Sequence, residues 1–580
     1  MDLTKSRRKD MDAKVNLSNK YVRWGISIGT VALILCLLWI FIPIFFYSND
    51  DAGIMYTLSG QDYIYPIGEH PYTMPMFAHS ISFLYKCFPF INWYTLLHFV
   101  TLFLSWAIIF KAMLDCGFHA GVSIFRIYAY FVFVFSMFGF FPCVMFSFTM
   151  TSALAGTSAC VLWLTDSPDE NDHYILKELF CLILMFLCFN WRFSTGLCIL
   201  TFYGLSVIVR SYRLWKSDQK KKLKAQVAGV AALFLVLGLS YSLRYYEMNI
   251  SDNKKMWEFN SARASYLDYP SESYTENPKK YESLGISSNL ANLMNGWYCL
   301  DDRITTENYL KLSISNETDP SSAFSKWINE PLHIWLTFFE SSTIYVKLSM
   351  IILVSVFIFA VWFFIKEKKL TVNGFTFLCT FVGTIILMYY LGINGRVRYH
   401  AYEVIAIPAA IFSCISLLKA CKPLTHKKEA IILSVIFLAG GGAICCNLLE
   451  TDYSSKKNFT IWEREIYQYA SSRKDNYFIY DYTCINRINP FAFGSVYRTH
   501  NLISLGANPY DVRMKLIASE NETERITGKD FLRENFYFIA QRNQPQREFI
   551  MSYLSEDYGA SGMEIIDEIC DGQVIVIKYY

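Results

Sequence analysis

The sequence predicts a mainly α, polytopic transmembrane helical bundle of about eleven spans, with an extracytoplasmic loop subdomain and a small soluble α/β C-terminal domain. Three observations carry this. Of the 580 residues, 53% are hydrophobic and 17% aromatic, while only 18% are charged, against about 25% in an ordinary soluble domain. Uncharged blocks of roughly twenty residues recur, each long enough to cross a bilayer as a helix. The Lys and Arg residues gather in short segments between those blocks, as cytoplasmic loops require. A net charge of +3 built from such local clusters gives no footprint for nucleic acid.

Residues 1–23 are basic (Lys5, Arg7, Arg8, Lys9, Lys14, Lys20, Arg23) and precede an apolar run from Trp24 to Phe46. That run is too long for a cleavable signal and reads as an anchor with its basic flank in the cytoplasm. The first outside loop then covers 47–92. Within it Phe77, Ile81, Leu84 and Phe88 share one helical stripe, with His79, Ser82 and Lys86 directed away, so a short helix is expected in the membrane interface. Spans follow at 93–114, opening on the interfacial pair Trp93-Tyr94, then 124–141 and 147–165. An acidic segment from Asp166 interrupts the basic inner pattern. Spans at 173–189 and 194–212 are joined by Asn190-Trp191-Arg192-Phe193, a tight outer hairpin carrying an arginine. A basic cluster from Arg210 to Lys224 leads to the span at 226–243.

The large outside loop, 245–340, is too long for a bare connector, and its aromatics suffice for a small packed subdomain. Ser288 is placed to cap a short helix there. Spans at 343–365, 371–391, 401–419 and 429–448 complete the domain 24–449. Residues 450–580 are soluble in character. Trp462, Ile466 and Tyr469 mark a helix, and runs at Tyr477 and Phe536 read as strands. The segments 565–570 and 574–579 flank Asp571-Gly572, a hairpin signal of type I′. No glycine-rich phosphate loop occurs in this domain. Most of the sixteen cysteines lie in apolar runs as small hydrophobes, and Cys484 and Cys570 read as two buried thiols.

The candidate site begins at Asp50-Asp51, an acid pair placed where the first span meets the outer surface. Acids commonly mark such a boundary. These, however, are followed by a long outside hairpin with an interface helix, where a carboxylate can meet a lipid headgroup. In an extended segment neighbouring side chains face opposite ways, so one acid is expected to face a cavity and the other to bond backbone or water. Glu69 and His70 lie in the same loop. Arg192 sits at headgroup depth, where it either snorkels to lipid or offers a fork to a substrate phosphate. Arg396, Arg398 and His400 form a second outer cationic cluster, against the usual bias of outer turns. Asp301-Asp302 reads as a solvated turn.

With Asn49-Asp50-Asp51 after a signal-anchor helix, an interface helix in that loop, about eleven spans and an outer soluble domain, the chain resembles the GT-C class of integral membrane glycosyltransferases. These use polyprenyl-phosphate-linked sugars. The resemblance implies that an acid of the first loop, Asp50 or Asp51, is the catalytic base, and that Arg192, Arg396 and Arg398 hold the lipid phosphate. It also implies a polyprenyl-phosphate sugar donor, a lipid, glycan or polymer acceptor, and inversion at the anomeric carbon. The setting it implies is a bacterial cell membrane, while the count of about eleven spans and the basic clusters on one side place the N-terminus in the cytoplasm and the C-terminal domain outside. A divalent cation stays open, though two adjacent acids alone make a poor cage. The competing readings are a lipid-linked glycan transporter, a polymerase or ligase, and a non-catalytic glycan-binding membrane protein. A transporter would be expected to place charges at the bilayer midplane, whereas here they cluster at the outer surface.

Overall fold

The structure, a computed structural model, describes the chain except residues 1–18, 62, 64, 167–173, 250, 269–270, 314–319, 367–370, 394–396, 421–459, 482–483 and 486. Eight helices among the described residues are long and apolar enough to cross a membrane: Lys20–Phe41, Trp93–His119, Tyr174–Trp191, Phe193–Lys216, Lys220–Asn249, Ile344–Trp362, Val372–Ile393 and Tyr399–Lys419. Two shorter apolar helices, Ile124–Phe138 and Phe148–Leu164, accompany them. The expected span at 429–448 lies outside the described residues.

The helix Phe148–Leu164 is the hub of the bundle, with all its 17 residues buried. Its small residues explain this position, because they let neighbouring helices approach closely without a hydrophobic driving force from water. A Cβ on Gly156 would stand 2.7 Å from both the Cys188 Sγ and the Ile199 side chain. At the end predicted to be cytoplasmic, buried ion pairs tie helices together. Arg23 meets Asp115 at 2.6 Å and Arg210 meets Asp166 at 2.8 Å.

Two strands that the apolar pattern hides meet at the opposite end of the bundle. Strand β1 (Phe45–Phe46) pairs in parallel with β2 (Met145–Phe146). This pairing brings the end of the first span beside the start of the hub helix. Immediately after it, Asn49–Ser59 is a helix rather than the extended segment expected. The reason is local. Ser48 is extended at the N-cap, and Asp50 and Asp51 occupy the first turn, where carboxylates complement the helix dipole. Gly60 ends it in a left-handed conformation (φ 75°), and a Cβ there would strike the Tyr65 backbone at 2.5 Å. The interface helix follows at Pro75–Cys87. Phe77, Ile81 and also Ser82 are buried, while Phe88 is exposed, so the buried face is rotated from the predicted stripe.

The large outside loop folds into helices Ser251–Leu267, Pro278–Glu282, Ser288–Asn295 and Thr306–Ser313. Ser287, one residue before the expected cap, accepts from the Leu290 amide. Pro320–Ser341 is a further helix, and its Trp335 donates to the Met388 carbonyl at 2.9 Å. Asp301 is not a solvated turn residue. It is fully buried and accepts from the Arg303 amide and guanidinium and the Tyr558 hydroxyl.

In the C-terminal domain, strands β3 (Tyr477–Tyr480), β4 (Leu502–Ser504), β5 (Phe536–Gln541), β6 (Met563–Ile569) and β7 (Val574–Tyr579) form one sheet in the order β4-β3-β5-β7-β6. The Cys570 carbonyl accepts from the Gln573 amide across Asp571 and Gly572, both with positive φ, the geometry expected of that turn. Cys484 and Cys570 are separate buried thiols. The alternation of β3 divides the sheet between two cores. Phe478 and Tyr480 join the core shared with the bundle. Tyr477 and Ile479 join a second core with Phe259, Tyr281, Leu290 and Tyr309 of the outside loop.

Candidate active site

The two acids diverge because they sit in consecutive positions of a helical turn. Asp51 points inward and is fully buried. Its Oδ1 accepts from the Phe148 amide at 2.7 Å and the Tyr94 hydroxyl at 3.0 Å. The Phe148 amide is an otherwise unpaired donor at the start of the hub helix, so Asp51 caps that helix from another element. His98 Nε2 stands 3.7 Å from the same oxygen. Burial pushes the Asp51 carboxyl well above the ordinary range, against the pull of the Phe148 amide and Tyr94 hydroxyl.

Asp50 is half-buried. No hydrogen bond or ion pair from the described residues reaches its carboxylate. Burial raises its pKa, Arg192, Arg263 and Arg398 lower it, and Asp268 opposes them. These groups come from four separate stretches: the first loop, the 190–193 hairpin, the outside-loop helix Ser251–Leu267 with its following residue, and the turn before Tyr399. The result is a carboxylate kept accessible and held between cations.

Each cation is positioned differently. Arg192 donates to the Thr149 hydroxyl and, at 3.3 Å, to Ser194, and its guanidinium lies 4.8 Å from the Phe148 ring. Arg263 is buried and donates to the Gly506 carbonyl at 3.0 Å and to Asn260 at 2.7 Å. Arg398 is 51% exposed and pairs with Asp268 at 3.1 Å. Tyr72 stacks on Phe148 at 6.3 Å, and burial followed by the Asp50 charge pushes its phenol up to about 12. His70 packs edge-on to Tyr72 at 5.3 Å and accepts the Tyr72 amide at Nδ1, 3.3 Å. Burial holds His70 down to about 3, so its ring is neutral. His400 faces Tyr47 at 5.7 Å.

Asp50, Arg192 and Arg398 are thus brought together, His70 lies against Tyr72, and His400 lies against Tyr47. Glu69 bears instead on His79. Arg396 lies outside the described residues. Sequence reading passed over Arg263, Asp268 and Tyr72, because nothing local distinguishes them from other residues of polar loops. Among the described residues no group of three His, Cys, Asp or Glu side chains is gathered to hold a metal. Asp51 is committed to protein donors, and arginines surround Asp50.

His79 Nε2 meets Glu247 Oε1 at 2.6 Å, pinning the helix Pro75–Cys87 to the C-terminal end of Lys220–Asn249. The hydrogen bond that His79 donates to the Glu247 carboxylate raises the His79 pKa above 6.5. The stability it supplies is complete below the unfolded value and is lost as pH rises through the raised one. With His79 49% exposed, screening limits this to about 0.5 kcal/mol. Thermal unfolding followed between pH 5.5 and 8.5 is expected to show that loss, and Glu247→Gln is expected to abolish it.

No family model matches the sequence, and no curated protein matches it. Two solved structures are similar to the chain. One is ArnT from Cupriavidus metallidurans bound to undecaprenyl phosphate, at 11% identity and a TM-score of 0.39, covering 96% of this chain and 97% of that one. The other is the same protein in the apo state, at 10% identity and a TM-score of 0.40, covering 96% and 98%.

Proposed function

We propose that the protein is a membrane glycosyltransferase. It moves a sugar from a polyprenyl-phosphate donor to a lipid, glycan or polymer acceptor at the outer face, with inversion. The observation that carries this reading is the contrast within the acid pair: Asp51 is spent on protein donors, while Asp50 is unbonded among the described residues and set among three arginines. In this reading Asp50 takes the proton from the acceptor hydroxyl as that oxygen attacks the anomeric carbon. The glycosidic bond to phosphate breaks on the opposite face. The departing polyprenyl phosphate carries the electron pair, and Arg192 and Arg398 stabilise its charge. Tyr72 and His70, both uncharged at neutral pH, supply an aromatic wall for a sugar ring.

The test is transfer of radiolabelled sugar from a panel of polyprenyl-phosphate sugars into membranes bearing the protein. Wild type is expected to use at least one donor, and absence of transfer with every donor removes the reading. Arg192→Ala is expected to raise the KM for that donor about tenfold or more, the scale of one lost charge-assisted hydrogen bond. The same change has a pH signature. A base must be deprotonated, so the rate rises with pH through the Asp50 pKa, and Arg192 lowers that pKa. The acid limb of kcat is therefore expected to move to higher pH in Arg192→Ala.

A further inference from the structure

The acid helix Asn49–Ser59 is held at both ends by one segment of the C-terminal domain. Ahead of the helix, the Phe46 amide donates to the Ile488 carbonyl at 2.7 Å. Beyond it, the Gln61 side chain donates to the Ala492 carbonyl at 2.9 Å, and the Gln61 carbonyl accepts from the Thr499 amide at 3.1 Å. Beside it, Asn92 and Thr95 both donate to the Pro490 carbonyl, at 2.9 and 2.7 Å. Ile488 and Ala492 are buried, and Gln61 is wholly so. Arg487, at the head of this segment, has a left-handed φ of 41°, a conformation costly for a non-glycine residue and retained where the surroundings enforce it. Its guanidinium lies 5.1 Å from the ring of Tyr56, on the acid helix itself. Five hydrogen bonds from residues some four hundred apart in sequence thus converge on one strap around the acid helix.

We propose that the segment 488–499 is a clamp that sets the position of Asp50, with Gln61 as its positioning residue. This rests on the transferase reading above and gives the C-terminal domain a share in the chemistry. Asp50 has no bond of its own to fix its direction, so the helix backbone must aim it. Small misplacements of a base cost rate far more than they cost binding.

The experiment uses the full chain in membranes, with Gln61→Ala and Gln61→Met. The second fills a similar volume but offers no donor to the Ala492 carbonyl, so it separates the hydrogen bond from the cavity. Two readouts are taken: kcat and KM for the donor that wild type uses, and amide hydrogen exchange of 49–59 against 536–541. The expected result in both variants is a kcat lower by about tenfold to a hundredfold with KM little changed. Exchange should be faster at 49–59 and unaltered in β5. Wild-type exchange at 49–59, or faster exchange with unchanged kcat, overturns the proposal. If β5 also exchanges faster, Asn92→Ala, which leaves the Thr95 bond to Pro490, replaces the Gln61 variants under the same criteria. If wild type transfers no sugar from any donor, the transferase reading falls, and exchange at 49–59 alone still decides whether the clamp holds the helix.

Discussion

Asp50→Asn is expected to lower sugar transfer by a factor of about 10² to 10⁴, the usual contribution of a positioned general base. Donor binding is expected to survive, because Asn keeps the size and polarity of the side chain and the three arginines remain. Stability is expected to hold or rise slightly. The Asp50 carboxylate has no hydrogen bond from the described residues to lose. Its pKa is raised by burial, so its charged form costs stability above the unfolded pKa, and a neutral amide removes that cost. The measurement is transfer at matched expression, alongside thermal unfolding of the purified variant. Transfer at the wild-type rate from a folded Asp50→Asn protein takes Asp50 out of the mechanism. Lost transfer accompanied by lost folding would contradict the structural account of an unbonded carboxylate.

The bundle was legible because a bilayer imposes one rule on every span: about twenty apolar residues with their backbone bonded internally. Arg192 could be placed for the same reason, since a four-residue link between two spans has nowhere to go but the surface. The divergence of Asp50 and Asp51 was legible in outcome but not in cause. Alternation along a strand was the expected reason, whereas a helical turn beginning after Ser48 produces it. The β1–β2 pairing was not legible at all. Two residues on each side, Phe45-Phe46 and Met145-Phe146, are indistinguishable from the ends of apolar spans. Arg263 and Asp268 were invisible for a different reason. Their place beside Asp50 depends on how the outside loop folds onto the C-terminal sheet, and that is fixed by a shared core drawn from segments some two hundred residues apart in sequence. Asp301, expected in solvent, is buried because Arg303, two residues on, folds back to neutralise it.

Asp51 should separate from Asp50 by failing in the opposite way. In Asp51→Ala the Phe148 amide and Tyr94 hydroxyl lose their acceptor inside a site with no solvent access. An unsatisfied buried donor costs about 1–3 kcal/mol, so the pair is expected to lower stability by roughly 3 kcal/mol or more. Asp51→Asn should be far milder, at about 1 kcal/mol, because its amide oxygen still accepts from the Phe148 amide. The Tyr94 hydroxyl donates to that same oxygen, and the new NH2 group takes the place of Oδ2, where the Ser48 hydroxyl can turn to accept from it. The pH dependence follows from the same burial. A carboxyl raised well above its usual range adds stability below its unfolded pKa, and that contribution is lost as pH rises through the folded value. Asp51→Asn should remove this slope, and Asp50→Asn should leave the Asp51 part of it in place. Thermal unfolding of the three variants across pH 4 to 8 separates these outcomes. If Asp51→Ala is as stable as wild type, Asp51 does not lock the hub helix to the acid helix. If it is destabilised but its folded fraction transfers sugar at the wild-type rate, the lock is real and the chemistry belongs to Asp50 alone.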